Sequence, residues 1–239
     1  PDFSGNDAIC IQVCDNGSPQ LCDTAQVKII VTPVNDPPVA VVDYGTTPED
    51  TPVTTPVLGN DTDPDNNIDP ASVTITSPPA NGTLTVDETT GAITYTPNPD
   101  FHGTDSYIYQ VCDLGMPVLC DTAIVKITIT LVNDPPVVTG KTVTTPEDQP
   151  ITICLPVTDP DAGATFTTQI CGDPANGTLG APVVNGNEVC VTYTPNPDFS
   201  GNDAICIQVC DNGNPQLCDT AQVKIIVTSV DDFPVAVND

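Results

Sequence analysis

The clearest signal along the chain is strict alternation of apolar and polar positions. Ile151, Ile153 and Leu155 are separated by Thr152 and Cys154. Phe166, Thr168 and Ile170 are separated by Thr167 and Gln169, and Val189, Val191 and Tyr193 by Cys190 and Thr192. Ile205, Ile207 and Val209 alternate with Cys206 and Gln208, and Ala221, Val223, Ile225 and Val227 with Thr220, Gln222 and Lys224. A period of two predicts strands with one covered and one wetted face. Two more segments, near Lys141–Thr145 and Thr178–Val184, bring the count to about seven, the number in an immunoglobulin-like sandwich. No stretch carries a sustained 3.6-residue period. With 27 prolines in 239 residues, almost no helix is expected.

The pattern recurs. Val34-Asn35-Asp36-Pro37-Pro38-Val39 returns 98 residues later as Val132-Asn133-Asp134-Pro135-Pro136-Val137, and again, altered, as Val230-Asp231-Asp232-Phe233-Pro234-Val235. Phe3, Phe101 and Phe199 share the period, as do Cys14, Cys112 and Cys210. A proline pair donates no amide hydrogen and fixes φ, so it ends a strand and stiffens the segment after it. The stretch therefore predicts a rigid junction between tandem domains. The expected organisation is the end of one repeat (1–36), two whole repeats (37–134 and 135–232) and the start of another (233–239), a piece of a longer array. A unit of this length has room for its own core.

Within a repeat, Asn81-Gly82 and Asn176-Gly177 predict tight turns. Asp211-Asn212-Gly213-Asn214-Pro215 forms the loop of the last hairpin, and Phe101 and Phe199 plug the end of the core.

The cysteines follow the strands. The alternation puts those of the third repeat on outer faces, so their partners lie across neighbouring strands. Cys14–Cys22, Cys112–Cys120 and Cys210–Cys218 each close one hairpin. In a seven-stranded sandwich the second strand neighbours the fifth and the third neighbours the sixth, which assigns Cys154–Cys190 and Cys171–Cys206. Cys10 stands where Cys206 stands two periods later, and its partner is expected upstream. A zinc site is the rival reading, but this spacing without histidine on exposed strands does not gather four thiolates. Eleven cysteines at repeating positions favour an oxidising, extracellular setting.

Charge narrows the function. Lysine and arginine number 4 against 32 acids, for a net charge of −28. That excludes nucleic acid and anionic membranes as partners. Only Glu49, Glu88, Glu147 and Glu188 are glutamates; the other acids are aspartates, which suit turns and calcium sites. No run of 18 apolar residues exists, so no membrane insertion is expected. The lone histidine, His102, aligns with Ser4 and Ser200, and reads as a solvated loop residue rather than a base. No phosphate loop or nucleophile elbow is present, so no enzyme is expected.

Several motifs in order carry a family resemblance. Thr-Pro-Glu-Asp at 47–50 and 145–148, Asn60-Asp61-Thr62-Asp63-Pro64-Asp65, Asn81-Gly82-Thr83-Leu84, Gly91-Ala92-Ile93-Thr94-Tyr95-Thr96-Pro97 and Phe101-His102-Gly103-Thr104-Asp105-Ser106-Tyr107 resemble bacterial cadherin-like repeats of giant secreted adhesins. The likeness spans the whole chain, although the cysteines depart from it. It implies an all-β protein of tandem seven-stranded immunoglobulin/cadherin-like β-sandwiches, with Greek-key topology, arranged end to end. It further implies a non-enzymatic stalk or surface filament with calcium at the junctions. Its partners are then the neighbouring repeats and, in a filament, other copies. The alternative is that the repeats themselves bind a glycan or protein, which calls for an exposed aromatic cluster.

The same likeness implies the ligand sets. At 134/135 they are Glu49, Asn133, Asp134, Asp159, Asp161 and Asp211, with Asp100 a weaker member. At 36/37 they are Asn35, Asp36, Asp63, Asp65 and Asp113, and at 232/233 Glu147, Asp231 and Asp232. His102 and Ser200 stand where cadherins carry a ligating glutamate, so fewer ions per junction are implied. Asp-Thr-Ala at Asp23, Asp121 and Asp219 is similar to an O-glycan acceptor pattern of such surface proteins; a strand start with an outward threonine is the plainer reading.

Overall fold

The computed structural model describes residues 3–231. It divides into two compact units, residues 1–131 and 132–239.

The first unit opens with a hairpin of β1 (Gly5–Cys14) and β2 (Cys22–Val31). A sandwich comes next: β3 (Asp43–Pro48), β4 (Val53–Thr55), β5 (Ile68–Ser77), β6 (Gly82–Val86), β7 (Ile93–Pro97), β8 (Gly103–Asp113) and β9 (Cys120–Thr130). One sheet has the order β3-β9-β8-β5 and the other β4-β7-β6. The first strand of the sandwich lies parallel beside the last, and every other pairing is antiparallel. Seven strands in two sheets is the sandwich that the alternation predicts, with the first strand paired to the last. A single 3-10 turn, Val57–Gly59, is the helical content of the described residues.

The second unit repeats the plan. Its strands are β10 (Val137–Val138), β11 (Thr142–Pro146), β12 (Ile151–Thr158), β13 (Thr167–Gly172), β14 (Gly177–Leu179), β15 (Val183–Asn185), β16 (Glu188–Pro195), β17 (Gly201–Cys210) and β18 (Cys218–Thr228). The sheets are β11-β18-β17-β13 and β10-β12-β16-β14, with β15 also on β16. The strand expected near 178–184 is thus two short strands, broken at Gly180-Ala181-Pro182, where proline cannot serve a ladder.

Alternation becomes burial directly. Ile153, Leu155, Val189, Val191, Tyr193, Ile205, Ile207, Val209, Val223 and Ile225 are all at most 2% exposed. In the β1–β2 hairpin the equivalent row is bare: Ile9 is 49% and Val13 68% exposed, because no second sheet covers them. Phe101 and Phe199 pack half-buried against their cores.

Asn81-Gly82 and Asn176-Gly177 do not form two-residue hairpin turns. Gly82 begins β6 and Gly177 begins β14. A Cβ on either would come within 2.4 Å of the Tyr95 or Tyr193 ring, so the glycine is there to let a tyrosine pass.

Five disulfides are present. Cys14–Cys22, Cys112–Cys120 and Cys210–Cys218 close hairpins, while Cys154–Cys190 and Cys171–Cys206 join neighbouring strands within one sheet each. Cys154 and Cys190 oppose each other in the β12–β16 register. Cys10 is free and exposed.

Candidate metal centre

Each linker is fastened to the unit after it by the same bonds. In the first unit the Asn35 carboxamide donates to Asp113 Oδ2 at 2.8 Å and to the Pro117 carbonyl at 3.0 Å. The Asp36 amide donates to Asp65 Oδ2 at 2.9 Å, and the Ala40 amide to Asp121 Oδ2 at 2.9 Å. In the second unit Asn133 donates to Asp211 Oδ2 (2.8 Å) and Pro215 O (3.1 Å), Asp134 N to Asp161 Oδ2 (2.9 Å), and Val138 N to Asp219 Oδ2 (3.0 Å). The second proline of each pair, Pro38 or Pro136, is buried. A Cβ on Gly115 or Gly213 would stand 1.7 or 1.6 Å from the oxygen of the docked asparagine, so this loop position must be bare.

The structure therefore gathers Asn35, Asp36, Asp63, Asp65 and Asp113 in one unit, and Asn133, Asp134, Asp159, Asp161 and Asp211 in the other. The acids in each set differ in role. Asp211 Oδ1 accepts from the amides of Gly213 and Leu217, both at 3.0 Å. Burial opposes its charge, but the Leu217 amide, Asn133 and the Gly213 amide together hold its carboxyl below the usual range. Asp113 is held low by the same three kinds of bond, again against burial. These two aspartates build the loop that receives the linker.

Asp63 and Asp159 are the acids with something left to give. Each accepts from the amide two residues on, Asp65 at 2.7 Å and Asp161 at 2.9 Å. Asp159 Oδ2 is buried with no hydrogen-bond partner. Burial pushes this carboxyl up, and the charges of Asp161 and Asp211 add to the rise. Three acids therefore crowd one another. In the first unit the Asn67 carboxamide fills the same space, one end 3.2 and 3.1 Å from the two Asp63 oxygens. Turned so that its NH2 faces them, it satisfies Asp63. Gly163 stands at that place in the second unit and offers nothing.

The other candidates lie at the opposite end of each sandwich. Glu49 and Glu147 are buried, 4% and 6% exposed, and their amides donate to Thr130 O and Thr228 O. Glu147 also accepts from the Val230 amide. Asp100 is exposed, with its amide 3.1 Å from Asp50 Oδ1. His102 is not simply solvated: its Nδ1 lies 3.7 Å from Glu49 Oε2. Asp231 is exposed, and Asp232 lies outside the described residues. Asp121 and Asp219, read from sequence as strand starts or as part of an O-glycan acceptor pattern, hold the linker as above; the neighbouring Thr122 and Thr220 are exposed.

Two tandem sandwiches, each with an Asn-Asp-Pro-Pro linker fastened to its own loops, define a class of modular adhesion-type repeat. The chain belongs to the bacterial Ig domain family, whose model matches residues 35–128 and again 133–226. It is a run of bacterial cadherin-like tandem repeats. Human Protocadherin Fat 1 is 30% identical over 248 residues, covering 94% of this chain and 5% of its own length. Among solved structures, PcdhgB3 EC1-4 matches with a TM-score of 0.64 at 18% identity, over 95% of this chain and 58% of that one. Protocadherin Gamma B2 extracellular cadherin domains 1-5 give 0.60 at 21%, over 95% and 46%. Mouse Cadherin-23 EC22-24 gives 0.54 at 18%, over 93% and 74%. These likenesses show the cadherin fold. No helix among the described residues is long and apolar enough to cross a membrane.

Proposed function

We infer that this chain is a non-enzymatic spacer of an extracellular bacterial adhesin, built from repeats 37–134 and 135–232 and stiffened by calcium at the linkers. It acts as a stalk or as part of a surface filament, with neighbouring repeats, and in a filament other copies, as its partners. The observation that carries the reading is Asp159: a buried carboxylate oxygen without a hydrogen-bond donor, crowded by Asp161 and Asp211. A donor set of carboxylate and carboxamide oxygens fits a hard divalent cation. Asp159, Asp161 and Asp134 are the residues that would hold it in the second unit, with Asn133 and Asp211 positioning the linker. Bound calcium would supply the positive charge that these acids lack.

The 36/37 linker is the weaker site, because Asn67 already occupies Asp63. One or two ions per linker, at affinities near 10⁻⁴–10⁻³ M, suit extracellular modules of this kind. The alternative, a glycan-binding repeat, has little to work with. Tyr95, Tyr107, Tyr109 and Tyr193 are buried, which leaves Phe3 and Tyr44 as the exposed aromatics among the described residues.

Calorimetric calcium titration tests the proposal. Asp159→Asn combined with Asp161→Asn is expected to remove the tightest binding event while the chain stays folded. An unchanged titration would overturn the assignment.

A further inference from the structure

A second group of acids lies inside the first sandwich, next to the linker set but sharing none of its residues. Asp43, at the start of β3, is 7% exposed; its Oδ2 makes no close hydrogen bond, with the Tyr109 hydroxyl and the Asn60 carboxamide the nearest donors to the carboxylate. Asp61 comes just after the 3-10 turn; its Oδ1 accepts from the Val41 amide at 2.8 Å and its Oδ2 from the Tyr109 hydroxyl at 2.8 Å. The Thr55 hydroxyl on β4 and the Tyr107 hydroxyl on β8 are 6% and 1% exposed and face each other, with no other hydrogen-bond partner. One Asp43 oxygen and the two hydroxyls thus make no close bond outside this cluster. Burial and the Asp61 charge push Asp43 up to about 6, and burial raises Asp61 as well. The Asp43 charge also reaches Tyr107.

The second unit shows that these residues act together. One period on, Asp43, Thr55, Tyr107 and Tyr109 become Lys141, Ile153, Ile205 and Ile207. The bridge Val39–Thr62 corresponds to Val137–Thr158, which puts Val157 in the place of Asp61. Four of the five positions become apolar and the fifth changes the sign of its charge. Lys141 instead turns its ammonium to the Cys154 carbonyl at 2.6 Å. The same fold is therefore satisfied by an apolar interior, and the polar set is not required to close the sandwich. Buried oxygens without a close partner are rare and destabilising, so three in one cluster ask for an occupant.

We propose that Asp43, Asp61, Thr55 and Tyr107 form an intra-repeat cation site of the calcium class in the first sandwich, separate from the linkers. Two carboxylates and two hydroxyl oxygens are hard ligands and would be neutralised by one divalent ion. Tyr109 is a positioning residue, because its hydroxyl donates to Asp61. The site would tie β3, β4, the 3-10 turn and β8 together.

The test counts ions on the whole chain. Equilibrium dialysis against calcium is run on the parent, on Asp43→Asn with Asp61→Asn, and on Asp159→Asn with Asp161→Asn. In parallel, terbium emission excited through tyrosine is recorded, since Tyr107 and Tyr109 face this cluster. The first variant should lose about one ion per chain and its calcium-displaceable terbium emission. The second should lose linker ions but keep that emission. An unchanged ion count in the first variant, with emission retained, would overturn the site and leave only protonation or water to satisfy the cluster. If that variant does not fold, the parent decides: tyrosine-excited terbium emission displaced by calcium supports the site, and its absence refutes it.

Discussion

At the scale of single residues, the most heavily used group is an aspartate on the penultimate strand. Asp203 accepts from the amides of Ala175, Asn176 and Ala204 at 2.8–2.9 Å and from the Tyr193 hydroxyl at 3.0 Å. Asp105 repeats the arrangement with Ala80, Asn81, Ser106 and Tyr95. Burial opposes both charges, but the Asn and Ala amides, the adjacent amide and the tyrosine hold both carboxyls below the usual range. A depressed carboxyl stabilises the fold above its unfolded value of 3.8 and loses that contribution as pH falls through its lower folded value. Asp203→Asn, which turns an NH2 toward backbone donors, should cost about 1–3 kcal/mol at pH 7. The difference from the parent should shrink below pH 4. Urea melts across pH check it; a penalty undiminished in acid would contradict the ionised role. The sequence did not single out these residues. Among so many aspartates, nothing in spacing marks the one whose partners are amides on a distant turn. The same holds for Asp121, Asp219 and Asp43.

At the scale of elements, much was legible. A period of two fixes which face of β12, β16, β17 and β18 is covered, and β-branched residues at those positions leave little choice. What spacing cannot supply is where a strand breaks or why a glycine recurs. Gly82 looks like a turn residue until Tyr95 is seen against it. The extra cross-links of the second unit have a consequence. Cys154–Cys190 and Cys171–Cys206 span 36 and 35 residues, against 8 for a hairpin pair. Loop entropy gives roughly 3.5–4 kcal/mol for each long link and about 2.5 for a hairpin link. Reduction and alkylation should therefore destabilise repeat 135–232 more than repeat 37–134. Hydrogen exchange resolved by peptide reads the two separately. Equal loss of protection in both would count against the long links as the source of stability.

At the scale of the whole molecule, the account rests on linkers that are built twice in the same way and on acids that lack a counter-charge. The docking of the linkers was only partly legible. The proline pair announces rigidity, but the seat of Asn133 against a bare Gly213 depends on the loop's folded shape. The distinction between Asp113 or Asp211, which hold a loop, and Asp159, which faces a gap that Asn67 fills beside Asp63, is a matter of hydrogen bonds rather than residue type. Anything bound by the folded chain alone stabilises it by mass action. The central claim, a calcium-stiffened run of repeats, is tested most directly by thermal unfolding of this chain in millimolar calcium and in excess chelator. The account predicts a higher melting temperature with calcium, a difference that Asp159→Asn with Asp161→Asn reduces. Superimposed curves with and without calcium would contradict it.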